Sequence, residues 1–334
     1  MRVGVIGAGA VGGAIAALLV RGGHEVEVTA RGDHLAAIRA EGIKLTGGWG
    51  TYTAIVDANA TLTFSPELVI VATKAQDAVA AIRDNIALLR GVPLLVVQNG
   101  LDSITAARAA SPRSDVIGGL ATFATSYLSP GEITVTTAGP TYVGVDGEYD
   151  VPARYVASVL APVMPTTVIP NFRGAQWTKL IINQVNALPA ITGLSVQEVV
   201  ADDGLRRVLT ASMREAVRIG RRSGVRFEKL QGLSRRLLRF FALAPLAIGE
   251  FLPRAMSARI GAVPNPGSTL QSIRRGQTTE IDHLNGAVVT AAGAIGRTAP
   301  VNELLTSLVH EVEESGTFLT SRQVIDRYRG LARR

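Results

Sequence analysis

From residue 1 to about 170, short apolar runs alternate with stretches of helical spacing. The runs Val3–Ile6, Glu25–Thr29, Leu68–Ala72, Leu94–Gln98 and Val116–Leu120 predict strands. Between them, Gly12–Arg21, Leu35–Glu41, Gln76–Leu89 and Asp102–Ala110 predict helices. Such alternation predicts a parallel sheet covered by helices. Glu132–Thr136 and Thr141–Val145, rich in Thr and Val and separated by Ala-Gly-Pro, predict an antiparallel pair. After Pro170 the period changes. Trp177–Leu194, Val196–Ser223 and much of 282–331 carry helical spacing and few strand signals.

The first strand runs straight into Gly7-Ala8-Gly9-Ala10-Val11-Gly12 and then an Ala-rich helix, with the second strand at βαβ spacing. A dinucleotide site requires that order. The first glycine makes a tight turn, the second lets backbone approach a pyrophosphate, and the third lets helix pack on strand. The helix N-terminus adds unpaired N–H groups and partial positive charge. The fold expected is an α/β Rossmann-like N-terminal domain with a parallel sheet, residues 1–170. An all-α C-terminal domain, residues 171–334, follows it.

An NAD site usually carries Asp or Glu at the end of the second strand. Here Glu25 and Glu27 lie within that strand, and its end reads Thr29-Ala30-Arg31. Arg31 can pair with an adenosine 2′-phosphate through its planar fork, so the spacing favours NADP(H) over NAD. The plainer reading of Arg31 is a solvated loop arginine.

Composition narrows the chemistry. Cysteine is absent, which excludes disulfides and thiolate catalysis. The four histidines (His24, His34, His283, His310) show no metal-ligand spacing, and no metal is expected. The most apolar stretch, Phe240 to Ile248, is too short to span a bilayer, and the chain opens on a core strand. A cytoplasmic protein without membrane attachment is expected. The net charge is +7, but the arginines are scattered without interleaved aromatics, so a small anionic molecule rather than nucleic acid is the expected partner. Of 34 basic residues only Lys44, Lys74, Lys179 and Lys229 are lysines. An ammonium can lose its proton when desolvated and a guanidinium effectively cannot, so each lysine is a candidate.

Lys74 ends one predicted strand and Gln98-Asn99-Gly100 ends the next, where the ligand edge of such a sheet lies. Lys74 also reads as a helix-entry residue with solvated charge, and Asn99 as a cap or left-handed turn residue. Lys179 and Asn183, four apart in Trp177-Thr-Lys179-Leu-Ile-Ile-Asn183, share a face of a largely apolar helix. A lysine there must snorkel, pair or face a cavity. In Thr278-Thr-Glu280-Ile-Asp282, Glu280 alone reads as a first-turn acid behind a Thr cap. Residues 231–266 hold Leu233-Ser-Arg-Arg-Leu-Leu-Arg-Phe-Phe and then several prolines. They read as a helical insertion packed on the second domain or at a homodimer contact, in preference to a lid.

Together these residues resemble the ketopantoate reductase family over nearly the whole chain. The resemblance is carried by the glycine motif, Thr73-Lys74-Ala, Asn99-Gly100, Trp177-x-Lys179-Leu-x-x-Asn183, and Ser268 followed by Thr279-Glu280-Ile-Asp282-x-x-Asn285-Gly286. It implies NADPH-dependent reduction of 2-dehydropantoate to pantoate. Lys179 would be the general acid and Glu280 its charge partner. Asn99, Asn183 and Ser268 would bind the 2-keto acid. Residues 7–12, Arg31, Lys74, Asn99 and Glu280 would contact the cofactor. The chain departs from the family pattern at Ala187, Gln197 and Ser272, with Asn186 one step from the usual place and expected to point elsewhere. Those changes leave a different 2-keto acid as the alternative substrate, and a non-catalytic NADP(H) sensor as the alternative class.

Overall fold

The computed structural model describes residues 1–145, 147, 150–261 and 263–331. They form two compact units, Met1–Phe172 and Arg173–Arg334.

Among its described residues the first unit holds twelve strands: β1 (Arg2–Ile6), β2 (Glu25–Thr29), β3 (Ile43–Gly47), β4 (Tyr52–Ala54), β5 (Asp57–Asn59), β6 (Leu68–Val71), β7 (Leu94–Val97), β8 (Val116–Ala121), β9 (Ala124–Ser129), β10 (Glu132–Thr137), β11 (Thr141–Gly144) and β12 (Thr166–Val168). Eight make one sheet in the order β12-β11-β8-β7-β6-β1-β2-β5, parallel throughout except where β11 meets β8. Strands β6 and β7 are wholly buried Leu/Val/Ile runs, as a parallel sheet covered on both faces requires. From β1 the chain builds β2 on one side and β6 on the other, so the winding reverses between β1 and β6. Ligands of open α/β sheets bind outside the strand C-termini at such a point.

Four strands form a second sheet, β4-β3-β10-β9. The expected antiparallel pairing of Glu132–Thr136 with Thr141–Val145 does not occur. Strand β10 joins β9 and β3, while β11 crosses to the large sheet beside β8. The connection turns away because the Pro140 carbonyl accepts the Thr122 N–H at 3.1 Å and its hydroxyl at 2.6 Å. The three-residue strands β4, β5 and β12 fall below what alternation can reveal, and β3 and β9 are not among the expected strands either.

The helix Ala10–Arg21 packs against β2 of the large sheet and β3, β4, β9 and β10 of the small one. Covered on both sides, it is apolar nearly all round, and its small residues admit close approach. A methyl group on Gly13 would lie 2.2 Å from Ile133 Cδ1 of β10.

Three helices expected as continuous are broken, each for a local reason. Gln76–Leu89 is interrupted at Asn85, whose amide donates to the Ala81 carbonyl at 2.7 Å and accepts the Leu62 N–H at 2.7 Å. Trp177–Leu194 begins earlier, as Phe172–Asn183, then tightens to a 3₁₀ turn over Gln184–Asn186 before Ala187–Thr192. Pro189 lacks the N–H that would have continued the ladder to Val185. Val196–Ser223 divides at Asp202, whose carboxylate accepts the Gly204 and Leu205 N–H groups, both at 2.9 Å, and starts the helix Asp203–Arg222.

The second unit is helical among its described residues. The insertion supplies helices Arg235–Leu243, Leu246–Gly249 and Phe251–Ile260, which pack on Asp203–Arg222. Leu238 and Phe241 are buried there, and buried Glu250 pairs with buried Arg206 at 2.9 Å. No helix among the described residues is long and apolar enough to cross a membrane.

Glu27, fully buried in β2, accepts from Asn59 Nδ2 at 2.8 Å, the Thr63 hydroxyl at 2.8 Å, and the Thr63 and Phe64 N–H groups at 2.8 and 3.2 Å. It ties residues 59–64 to the sheet. Glu27→Ala strands these buried donors and is expected to cost about 2–4 kcal/mol, read as a lower urea midpoint at unchanged slope. A loss under about 0.5 kcal/mol would mean the loop does not depend on this carboxylate.

Candidate active site

Each glycine of the first loop meets a separate steric demand. Gly7 has φ +95°, and a methyl group there would sit 2.8 Å from the Thr73 backbone nitrogen. At Gly12 a methyl group would lie 2.0 Å from the Gly7 carbonyl oxygen, so strand and helix close only without one. A methyl group on Gly9 would meet nothing within 4 Å. Gly9 heads the helix with no side-chain cap, and no acid occupies the first turn. Open space, uncapped N–H groups and the positive dipole end together make a cradle that suits a pyrophosphate.

The loop is held from behind. Gly7 N–H donates to the Thr29 hydroxyl at 2.9 Å, and Ala8 N–H to the Thr29 carbonyl at 2.9 Å. His34 Nε2 lies 2.7 Å from the Ala8 carbonyl, and its Nδ1 is 3.0 Å from the Gly131 N–H. That pair of contacts assigns the proton to Nε2. No spacing in the sequence marks His34 for this role.

The loops after β6 and β7 meet beside the glycine turn. Gln98 Nε2 donates to the Thr73 carbonyl at 2.8 Å and lies 3.3 Å from that of Lys74. Lys74 is half-buried at the entry to a 3₁₀ turn, Ala75–Asp77. Asn99 is half-buried beside Gly100, whose φ is +91°. Thus residues 7–12, Lys74 and Asn99 lie along one sheet edge. Arg31 stands apart, at the end of β2, exposed and 3.8 Å from the Asp84 carboxylate.

In the helical unit Lys179 and Asn183 are half-buried, one turn apart on Phe172–Asn183. Burial pushes the Lys179 ammonium down to about 8, against the upward pull of the Glu280 carboxylate. Asn186, buried, donates to the Asn183 carbonyl at 3.1 Å and accepts the Ser268 N–H at 3.2 Å. Its amide is thus spent on the backbone of the two residues assigned to substrate, Asn183 and Ser268. A 3₁₀ turn advances each side chain by about 120°, more than an α-helix does, and so alters where Asn186 aims. Ser268 is exposed in the first turn of Gly267–Arg274. Gln197 is taken up by the chain at 261–265, donating to the Gly261 and Val263 carbonyls at 2.9 and 2.8 Å. Ala187 and Ser272 are buried.

Glu280 precedes the 3₁₀ turn Ile281–His283 and does not cap it. Its neighbours are clamped from the helix Pro300–Ser315. Glu313 accepts the Thr279 N–H at 2.7 Å, and His310 lies between Glu313 at 2.8 Å and Asp282 at 3.0 Å. Burial opposes charge on His310, but hydrogen bonds and charge from the two acids leave its pKa raised.

Behind these groups lies a cluster of neutral polar side chains. Asn285 Nδ2 donates to Gln184 Oε1 at 2.8 Å and Asn302 Oδ1 at 3.0 Å, and the Ser212 hydroxyl reaches the same two oxygens at 2.8 and 3.0 Å. All four residues are fully buried. Gln184 follows Lys179 by five residues and Asn285 follows Glu280 by five, so one hydrogen bond links the two segments that carry the charged pair. Among the described residues no group of acids and histidines could hold a metal ion.

A glycine loop at the switch point of a wound sheet, followed by a helical unit bearing a desolvated lysine, places the chain among Rossmann-type oxidoreductases. The family model "Ketopantoate reductase PanE/ApbA" matches residues 3–147, and its C-terminal counterpart matches 171–313. The chain belongs to the ketopantoate reductase family. It is 25% identical over 312 residues to the 2-dehydropantoate 2-reductase of Pyrococcus abyssi, spanning 92% of this chain and 97% of the relative. It is 28% identical over 319 residues to that of Archaeoglobus fulgidus, spanning 93% and 98%. A ketopantoate reductase structure from Ralstonia eutropha superposes with TM-score 0.78 at 29% identity, covering 94% of this chain and 99% of that one. D-mandelate dehydrogenase bound to NADH and anilino(oxo)acetate shares the fold, with TM-score 0.80 at 20% identity and the same coverage.

Asn285→Leu removes a donor from two buried oxygens and is expected to cost about 1–3 kcal/mol. Combined with Ser212→Ala, which acts on the same oxygens, the losses should be non-additive by roughly 0.5 kcal/mol or more in denaturant unfolding. Strict additivity would mean the cluster is not one unit.

Proposed function

We propose that the chain is an NADPH-dependent reductase of 2-dehydropantoate, acting in the cytoplasm. The observation that carries this reading is the desolvated Lys179 paired in charge with Glu280, in a chain of this family. Hydride addition to a ketone builds negative charge on oxygen. An ammonium within hydrogen-bond reach stabilises that oxygen and supplies its proton. A lysine near 8 is a far better proton donor than one at its ordinary value and is still mostly protonated at neutral pH. Glu280 keeps it protonated. Asn183 and Ser268, whose backbones Asn186 bridges, would orient the substrate's polar ends, and Asn99 would bind substrate.

The nicotinamide cofactor, when bound, supplies the hydride. Its pyrophosphate fits the open position at Gly9 and the uncapped helix N-terminus. Arg31 would take the 2′-phosphate, and the engagement of Glu27 with residues 59–64 keeps that acid from the ribose. Lys74 would lie against the cofactor along the same sheet edge.

A second reading keeps the chemistry and changes the substrate to another 2-keto acid. It is favoured by Ala187 and by the commitment of Gln197 to the 261–265 segment. Steady-state NADPH oxidation with ketopantoate and a panel of 2-keto acids decides between them. Turnover above roughly 1 s⁻¹ on ketopantoate supports the first, and turnover confined to another acid supports the second.

Lys179→Ala is expected to lower kcat by about 10²–10⁴-fold with NADPH binding retained. Unchanged activity would sink both readings. Reduction needs the protonated amine, so kcat/KM should fall as pH rises through about 8. Glu280→Gln removes the group that raises the Lys179 pKa, so that limb should move to lower pH; a fixed limb would assign the titration elsewhere. Arg31→Ala should raise KM for NADPH by roughly 10–100-fold and leave KM for NADH nearly unchanged. Equal effects on both would overturn the 2′-phosphate assignment.

A further inference from the structure

The helical unit contains a cavity of about 530 Å³ that shares no residue with the Lys179–Glu280 site. Its charged lining is entirely arginine: Arg221 from the end of Asp203–Arg222, Arg226 from the following loop, and Arg235, Arg236 and Arg239 from Arg235–Leu243. Val225 and Phe227 supply an apolar wall, and no carboxylate lines it.

Among the described residues Arg221, Arg235, Arg236 and Arg239 enter no ion pair, whereas nearby Arg206, Arg207 and Arg254 all share Glu250. The arrangement also opposes the helix dipole. Arg235 and Arg236 fill the first turn of their helix, where acids are stabilising, and that turn contains no acid. The helix is fixed by other means. Leu238, Phe241 and Ala242 bury its opposite face, and Ser234 caps it through the Leu237 N–H at 3.2 Å. Apolar packing and a cap therefore hold guanidiniums from three segments around one concavity, against their mutual repulsion. An anion with several phosphate groups would relieve that repulsion, because each guanidinium fork matches a phosphate edge and the positive end of the helix dipole adds to the field.

We propose that this cavity binds a small soluble anion carrying two or more phosphate groups. The guanidiniums hold the phosphates, and Val225 and Phe227 receive any organic portion. The site is independent of the dinucleotide reading, since its residues lie outside the glycine loop and Arg31.

The test is calorimetric titration of the full chain with tripolyphosphate and with ATP, at about 0.15 M salt. The partners are the double variant Arg235→Gln/Arg239→Gln and, separately, Arg31→Ala. A binding event is expected that is weakened about tenfold or more in the double variant and unchanged in Arg31→Ala, distinct from any binding at the glycine loop. The double variant should keep the thermal midpoint and basal turnover of the parent, since both side chains are exposed. Tighter binding of ATP than of tripolyphosphate would support an organic phosphate as ligand, and equal binding would support recognition of phosphate alone. Equal affinity in parent and double variant would place the anion elsewhere and overturn the proposal. So would absence of binding at millimolar concentration, or capture by phosphatidylserine vesicles without binding of either soluble anion.

Discussion

A methyl group at position 12 would overlap the Gly7 carbonyl at 2.0 Å, and that prohibition governs the N-terminal unit. Because the clash is absent, the first helix settles onto the C-terminal end of β1 and brings its uncapped N–H groups to the point where the sheet reverses its winding. The same close seating lets one helix serve two sheets, with Gly13 under Ile133 of the smaller one. Thr29, His34 and Gln98 then fix the surrounding loops through backbone contacts. The space above Gly9 stays clear, with nothing within 4 Å of where a methyl group would sit.

The helical unit solves a different problem, keeping an ammonium partly out of water without neutralising it. Desolvation and the Glu280 charge act in opposite directions on Lys179, and desolvation is the larger. The buried cluster of Gln184, Ser212, Asn285 and Asn302 sets the two segments relative to each other with uncharged groups. Hydrogen bonds among amides and a hydroxyl are directional and add no long-range field. They can therefore fix positions without themselves shifting the titration they support.

The glycine loop, the alternation of the first 120 residues and the helical character of the second half were legible because each has a strong local signature. Interruptions were not. Asn85, Asp202 and Pro189 break helices through bonds made or forbidden at single positions, which a periodic pattern averages away. The pairing of β10 depended on where Pro140 sends the chain, a non-local matter. On the site, Lys179 and Glu280 stood out by residue type and motif, yet the role of Asn186 as the link between Asn183 and Ser268 could not be read from helical phase. The 3₁₀ turn had changed that phase. His34 left no trace at all, since a histidine that bonds two backbone groups looks like any other loop histidine.

The hydrogen bond between Gln184 and Asn285 joins residues 101 apart, and Ser212 meets Asn302 across 90. On the ribosome, the helix bearing Lys179 therefore emerges well before the groups that anchor its end exist. Until about residue 302 is exposed, Gln184 and Ser212 can bond each other, but the cluster that fixes them lacks Asn302. The helical unit thus completes its core only after residue 302 has emerged, and nascent chains of intermediate length carry its least protected surface.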